Sequence, residues 1–433
     1  MTRNDFLKTA TLAGAASMVM PKFSFGAAMG SDKIRVALVG CGGRGTDALT
    51  NMIAADNNIE IVALGDLYKE RTEACAAKVK GYIERKKLKV NDIWKVTPET
   101  TFLGLDAIDK VLQTNAHVVA LVTPPCFRTG HIEKALNANK HVFAEKPICI
   151  DPVQLRKVYN ELIPLADKKG LNVLCGTQMR YQSAICEVMD RIHNGQIGDI
   201  VSVSCLRYEP SYLTGWYPVP SELKPEDVRY QLLKWLAFRW TSGDQYVEQY
   251  IHNLDLALWA INKEPQYVVG SGGRQIDISY PECGDRQSNT HTVFEFDNGV
   301  MLTANCRQEK GTAPYAPLKV FGTKGVANVT FGRQEITGEN PWRSEDPKKH
   351  ALVCEHEALF GSLRRGERFN TMKMHADSCY AAIAGREAAY AGVRIKTAFF
   401  KEKSKLSLVP DNLDLNGKKA LEPIPSPTNY KLI

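Results

Sequence analysis

The chain has 433 residues, which is too long for one ordinary domain and long enough for two. Hydrophobic residues make up 44% of it and charged residues 24%, the proportions of a globular protein rather than of a disordered or fibrous one. The net charge of +7 is spread along the sequence, the dense basic run at 84–89 has no interleaved aromatic residues, and no apolar stretch is long enough to cross a bilayer. Neither a nucleic-acid-binding protein nor an integral membrane protein is expected.

Residues 1–30 have the pattern of an export signal. Arg3 and Lys8 precede the uncharged stretch TATLAGAASMVM, and small residues follow Pro21. The opening TRNDFLK is similar to the twin-arginine motif except that Asn4 stands where the second arginine belongs, so the twin-arginine and general secretory routes both stay open. We therefore expect a periplasmic protein. The alternative is a cytoplasmic protein with an N-terminal helix.

The eleven cysteines include no CxxC pair, which predicts neither a disulfide framework nor a zinc ribbon. Free thiols fit folding in a reducing compartment, and the twin-arginine route, which carries folded proteins, would reconcile them with a periplasmic location. The histidines are scattered and show neither HExxH nor a two-His-one-carboxylate spacing, so no metal site is predicted.

Residues 31–150 have the pattern of a dinucleotide-binding domain. The buried strand IRVALV runs directly into GCGGRG (40–45), whose glycines have GxGxxG spacing, and a helix and a second strand follow. The first glycine permits a tight turn, the second lets the backbone approach a pyrophosphate, and the third lets the helix pack against the strand. The helix N-terminus then offers unpaired N–H groups to the phosphates.

The second strand ends in Asp66, at the distance from the glycines where a carboxylate can accept both hydroxyls of a ribose. A carboxylate there repels the 2′-phosphate of NADP, so NAD is the expected cofactor. Lys69 and Arg71 are close enough in sequence to keep NADP as the disfavoured alternative.

Two further strands, HVVALV and HVFA, alternate with helix patterns and predict a parallel sheet. Ligands bind at the carboxyl ends of such strands, where TPP (123–125) and EKP (145–147) fall. The predicted dinucleotide contacts are Gly40, Cys41, Gly42, Gly43, Arg44, Gly45, Asp66, Tyr68, Thr123, Pro124, Glu145 and Lys146.

Residues 151–433 are expected to form the substrate domain. They begin with a helix, the strand LNVLCGTQ (171–178) and a second helix, and later strands include a pair joined by an Asn298-Gly299 hairpin turn. The segment 207–228 is long and rich in Pro and Tyr, as expected of a lid or substrate loop.

The segment 241–262 predicts one helix. Ser242 and Gln245 have the spacing of a capping box, and an apolar stripe follows. Glu248, His252 and Asp255 would then stack as an acid–His–acid column beside that stripe, which suits a wall between core and cleft. The alternative is a surface helix whose histidine is held by two carboxylates.

Together, the glycine motif, the strand ending in TPP and the block KHVFAEKP resemble the Gfo/Idh/MocA family, and the resemblance continues in GTQMRYQSAICEVMDRIHNGQIGDIVSV, FGTKGVANV and ADSCYAAIAGREAAYAG. It implies an α/β protein with an N-terminal Rossmann domain and a C-terminal α+β domain. The second domain would carry a large, open, mainly antiparallel sheet. In the family that sheet often mediates dimers or tetramers, so a homo-oligomer is expected.

The resemblance also implies an NAD-dependent oxidoreductase that acts on a secondary alcohol of a sugar or glycoside, for example at C3 of a pyranoside. Lys146 and His252 are the candidate acid–base groups, and Glu248 stands where the family usually has Asp. The predicted substrate contacts are Arg180, Tyr181, Trp240, His252 and Asp255. A tightly held cofactor is expected, because free NAD is scarce outside the cytoplasm.

Two other functions compete with this one. In a redox-cycling glycosidase, NAD is reduced and reoxidised within one cycle, but such relatives tend to lack the EKP lysine. The other is a non-enzymatic NAD-binding sensor, and the presence of both Lys146 and His252 argues against it.

Overall fold

The computed structural model describes residues 29–30, 32–210, 219–275, 282–330, 332–345 and 349–433. The predicted export signal therefore lies outside the described residues except at Met29 and Gly30, and part of the predicted lid, 211–218, lies outside them too. No helix in the described ranges is long and apolar enough to span a membrane.

The first sheet has six parallel strands in the order β3-β2-β1-β4-β5-β6. Its strands are β1 (Ile34–Val39), β2 (Ile59–Asp66), β3 (Thr101–Leu103), β4 (Val118–Leu121), β5 (His141–Ala144) and β6 (Val173–Cys175). Central strands of a parallel sheet are covered on both faces, which explains their continuous apolar runs. Because β6 comes after residue 150, the predicted domain boundary is too early, and LNVLCGTQ belongs to this sheet rather than to the second domain.

The helices around this sheet follow the predicted alternation with its strands. They are α1 (Gly43–Ala55), α2 (Lys69–Arg85), α3 (Val90–Ile93), α4 (Ala107–Leu112), α5 (Pro125–Asn137), α6 (Pro152–Lys157) and α7 (Ile163–Lys169), with 3-10 and π turns at Pro98–Thr100 and Val158–Leu162. The turn into α1 requires its glycines. Gly40 has φ +99°, and a Cβ on Gly45 would lie 1.8 Å from the carbonyl oxygen of Gly40.

The second sheet has nine strands in the order β14-β13-β12-β11-β7-β10-β9-β8-β15. Within the described residues, β7 and β10 are parallel and the other neighbouring strands of this sheet are antiparallel. The strands are β7 (Ile200–Glu209), β8 (Tyr267–Gly273), β9 (Asn289–Glu295), β10 (Met301–Gln308), β11 (Leu318–Gly322), β12 (Gly325–Val329), β13 (Glu335–Gly338), β14 (Trp342–Arg343) and β15 (Ile395–Lys396). Gly299 has φ +82° between β9 and β10, which confirms the predicted hairpin turn. The two sheets confirm the predicted fold class.

Helices pack on the second sheet, and α8, α12 and α14 contact its strands. The helices after β6 are α8 (Ser183–His193), α9 (Val228–Leu233), α10 (Arg239–Ser242), α11 (Asp244–Glu248), α12 (Ile251–Ile261), α13 (Ala351–Arg365), α14 (Met372–Ala391) and α15 (Ala398–Glu402), with 3-10 turns at Gln178–Tyr181 and Trp235–Ala237. The long helix α14 is buried along most of its length and packs on β8 and β9. In contrast, α13 packs on α1, and its Leu359 and Phe360 belong to the core of the first sheet. A helix late in the chain thus stabilises the N-terminal domain.

Candidate functional site

A cleft with an empty volume of about 940 Å³, open solvent included, lies at the carboxyl ends of β1, β2 and β4. Many of the predicted dinucleotide contacts line it. These are Gly40, Gly42, Gly43, Arg44, Gly45, Asp66, Tyr68, Thr123 and Pro124. Cys41, Glu145 and Lys146 are not among its lining residues. The cleft therefore has the position that a doubly wound sheet gives to a dinucleotide.

The glycine-rich turn fits a pyrophosphate. Helix α1 starts at Gly43, and Gly42 before it provides no side-chain cap for the first-turn N–H groups. A Cβ on Gly43 would meet no atom within 4 Å, so the backbone there is open to the cleft. Uncapped N–H groups at a helix N-terminus bind anions.

Asp66 is oriented by the backbone. Its Oδ2 accepts the N–H of Cys41 at 2.6 Å and its Oδ1 accepts the N–H of Tyr68 at 3.0 Å. Burial raises the pKa of Asp66, and these hydrogen bonds oppose the rise. Cys41 thus serves through its amide, while the ring of Tyr68 lies 5.0 Å from the guanidinium of Arg71.

An ion pair between Lys146 and Glu248 joins the two domains. The Nζ of Lys146 lies 2.5 Å from Oε1 of Glu248 and donates to the backbone carbonyl of Glu248 at 2.5 Å. The two side chains are 10% and 5% exposed, and Oε2 of Glu248 is buried without a hydrogen-bond partner. The peptide bond from Lys146 to Pro147 is cis. The structure therefore brings together two of the three predicted catalytic residues.

Glu145 and Arg44 form a second ion pair, which is connected to the first through the backbone of Lys146. The Nε of Arg44 lies 2.5 Å from Oε1 of Glu145, and Nη2 of Arg44 lies 3.2 Å from Oε1 of Glu355 on α13. Oε2 of Glu145 accepts the backbone N–H of Lys146 at 3.0 Å. Burial would raise the pKa of Glu145, but Arg44 and Lys146 together lower it. Glu145 is thus a positioning group for the backbone of Lys146.

Two residues of this arrangement have no signal in the sequence. Glu355 is fully buried, and burial raises its pKa well above the ordinary range although Arg44 opposes the rise. Arg128 is also buried and donates to the carbonyls of Thr123 and Glu145, so it ties the ends of β4 and β5 together. Burial lowers the pKa of Arg128 to about 10. No local motif marks either residue, because each acts through partners from other elements.

The predicted single helix over 241–262 is wrong. Ser242 ends α10, and its Oγ donates to the carbonyl of Phe238 at 2.8 Å and accepts the N–H of Asp244 at 3.0 Å, rather than forming the predicted box with Gln245. Gly243 then takes a left-handed conformation with φ +82°, and a second break separates α11 from α12. The capping box fails because the glycine ends one helix where the motif would begin another.

The predicted acid–His–acid column does not form. Glu248 pairs with Lys146, whereas Asp255 accepts two hydrogen bonds from Arg180, at 2.9 and 3.0 Å, and one from Ser378 at 2.6 Å. Among the described residues, none forms a hydrogen bond with the ring of His252. Burial, with Lys146 and Arg207 nearby, lowers the pKa of His252 well below its ordinary value, so the ring is neutral.

The side chains of the other predicted sugar contacts interact with other residues of the protein. Trp240 is 5% exposed, and its indole N–H donates to Gln231 at 2.5 Å. Its role as a sugar contact stays a prediction. Arg180 is held by Asp255 and lies 4.8 Å from the ring of Trp259. Tyr181 is half-buried and packs against the core of the first sheet.

All eleven cysteines are free thiols. Within the described part of the chain, no group of three or more His, Cys, Asp or Glu side chains could hold a metal ion.

Two family models match the chain. Residues 34–177 match the model described as "Oxidoreductase family, NAD-binding Rossmann fold", and residues 185–328 match the GFO/IDH/MocA C-terminal domain. The first match extends to the end of β6, in agreement with the sheet.

Similar proteins of known name are distant. An uncharacterized oxidoreductase, YrbE of Bacillus subtilis, is 22% identical over 240 residues, which cover 55% of this chain and 63% of that protein. D-glucoside 3-dehydrogenase of Escherichia coli is 24% identical over 340 residues, which cover 72% of this chain and 86% of that protein. The crystal structure of scyllo-inositol dehydrogenase from Lactobacillus casei with bound NAD(H) and scyllo-inositol superposes with a TM-score of 0.62 at 19% identity, covering 85% of this chain and all (100%) of that one.

The geometry of Asp66 generates a prediction on cofactor affinity. Replacing Asp66 with Ala removes the acceptor for the ribose hydroxyls, so we expect NAD to bind about tenfold more weakly or worse, the loss of one or two hydrogen bonds to a charged group. Titration calorimetry with NAD measures this, and Asp109→Ala, an exposed aspartate of α4, is the control. Equal NAD affinity in wild type and Asp66→Ala would refute the assignment.

Proposed function

Because this chain belongs to the Gfo/Idh/MocA family of NAD-binding oxidoreductases, we propose that it oxidises or reduces a secondary alcohol or ketone of a sugar or glycoside, at C3 of a pyranoside. The observation that carries the proposal is the buried Lys146–Glu248 pair, which joins an amine from one domain to a carboxylate from the other. The similarity to a D-glucoside 3-dehydrogenase supports the choice of carbon.

NAD, when bound, supplies the hydride acceptor for the alcohol carbon. The chain must remove the hydroxyl proton. In the ion pair Lys146 is a charged ammonium, so we assign it to receive this proton as its own passes to Glu248, whose Oε1 lies 2.5 Å away. Glu248 holds the amine at 2.5 Å, and its free Oε2 leaves a second acceptor beside the same nitrogen. A neutral His252 can accept a proton, or return one in the reverse direction, without first losing its own. Glu145 positions the backbone of Lys146 by accepting its N–H.

Substitution of the acid–base groups tests this assignment. We expect Lys146→Met to lower kcat about a hundredfold to ten-thousandfold, the usual contribution of general base catalysis, and His252→Ala to lower it within the same range. Both variants should bind NAD as wild type does, because neither residue lines the dinucleotide cleft. The rate of NADH formation on the enzyme in a single turnover with glycosides and inositols measures the chemical step.

Lys373→Met, on an exposed part of α14, is the matched control and should leave kcat unchanged. Near-normal turnover in both the Lys146 and the His252 variants would contradict the proposed chemistry. The same assay tests the alternatives: release of free sugar without net NADH would indicate a redox-cycling glycosidase, and no reaction across the panel would indicate a sensor. Neither alternative gains support from the relatives described above.

We propose in addition that residues 1–30 are removed on export and that the protein acts in the periplasm. The support is the basic, apolar and small-residue order of the segment. N-terminal sequencing of protein produced in its native host should find a new N-terminus near residue 30. A retained Met1 in that protein would contradict export and favour the cytoplasm.

A homo-oligomer is proposed on the outer face of the second sheet. The register aligns Met301 with Ser202 and Phe321, and Phe321 with Val326, and Met301 is 50% exposed. Three of these four side chains are apolar, and exposed apolar side chains on an open sheet favour association with a second copy. Light scattering should give a dimer or tetramer, and Met301→Lys should shift it toward monomer; a monomeric wild type would refute the interface.

A further inference from the structure

Two residues of the second domain complete the wall of the dinucleotide cleft. Leu232 of α9 and Trp235 of the turn that follows it line the same cavity as the glycine-rich turn, Asp66 and Tyr68. Neither is near the glycine motif in sequence. The cleft is therefore covered from outside the Rossmann domain.

The covered part is the end where the adenosine of a dinucleotide would lie. Asp66 is placed to hold the adenosine ribose, and Tyr68 lies next to it at the end of β2. Burial raises the pKa of Tyr68, and the guanidinium groups of Arg71 and of Arg229 in the first turn of α9 oppose the rise. Leu232 of α9 thus lines the cleft on the side of Asp66 and Tyr68.

Hydrogen bonds fasten this segment to the rest of the second domain. Gln231, which is buried, accepts the indole N–H of Trp240 at 2.5 Å and donates to the carbonyls of Pro225 and Lys419 at 2.9 and 3.1 Å. The N–H of Lys419 donates to the carbonyl of Glu226 at 2.8 Å, so the C-terminal tail holds the segment from a second side.

These bonds would have to break together for the segment to swing away. Trp240 therefore anchors the segment that carries Trp235. A wall fastened on two sides makes the passage of a whole dinucleotide slow, because local opening costs the free energy of every contact that it breaks.

We propose that residues 226–237, the cofactor cap, close over the adenosine half of NAD, with Trp235 as its aromatic contact, and that NAD stays bound between turnovers. The cellular location predicts a tightly held cofactor, and the cap predicts the same property independently from the shape of the cleft. It goes beyond the proposed function, since it concerns release of the cofactor and holds for any alcohol substrate.

Retention of nucleotide by the full chain tests the cap. Protein saturated with radiolabelled NAD is freed of excess label by gel filtration, and loss of label is followed after adding unlabelled NAD. We expect wild type to keep most of its label through gel filtration. Trp235→Ala should release it about tenfold to hundredfold faster, the effect of removing one aromatic group stacked on a base.

Trp342→Ala is the matched control, because Trp342 is a half-buried tryptophan on β14 that lies 4.3 Å from Arg191 and outside the cleft. It should release label at the wild-type rate. Trp240→Phe removes the hydrogen bond to Gln231 while keeping a buried ring, and we expect it to speed release as well. Thermal unfolding of each variant shows whether it is folded, and Trp240→Phe keeps the test valid if Trp235→Ala does not fold.

A wild type that loses its label during gel filtration would overturn the proposal, and so would equal release rates in wild type, Trp235→Ala and Trp240→Phe. These outcomes are independent of substrate. If no sugar or glycoside is turned over, the proposed function fails while retention of label still decides the cap.

Discussion

The buried ion pair between Lys146 and Glu248 is the interaction on which the arrangement of the two domains depends. Removing two charges from water costs several kcal/mol for each ion, and their attraction offsets this only when the geometry is close and the remaining atoms are satisfied. The amine meets this condition, because it donates to two acceptors at 2.5 Å. Oε2 of Glu248 does not meet it, because no group among the described residues donates a hydrogen bond to it. The unmatched oxygen therefore adds to the cost of burying the pair, because a buried acceptor without a donor loses its hydrogen bond to water.

Much of the first domain could be predicted from the sequence, because its signals are local. The turn at Gly40, the close packing of Gly45 and the acceptor Asp66 all belong to one strand–turn–helix–strand unit. In that unit the backbone geometry or the ligand requires each of these residue types. The boundary at residue 150 failed for the opposite reason. Strand β6 belongs to the first sheet only through its pairing with β5, and no periodicity reveals a partner in space.

The second domain shows where local patterns mislead. Ser242 and Gln245 satisfy the capping-box spacing, but Gly243 between them takes a left-handed conformation and ends one helix instead. Trp240 illustrates the same limit, because the sequence does not distinguish an aromatic side chain that stacks on a ligand from one that is buried in the core. Glu355 lies 311 residues from the Arg44 that it holds, so only the packing of α13 on α1 could have identified it.

The failed acid–His–acid column leaves His252 without a carboxylate partner. Each carboxylate of the predicted column is claimed by a cation from a different element: Glu248 by Lys146 and Asp255 by Arg180. Had either carboxylate bound His252, the ring would have been held as a charged partner, because an adjacent anion raises the pKa of histidine. With both anions neutralised elsewhere and Lys146 nearby, burial keeps His252 neutral. The two ion pairs that replace the predicted column are therefore also what leave His252 without an anion that would raise its pKa.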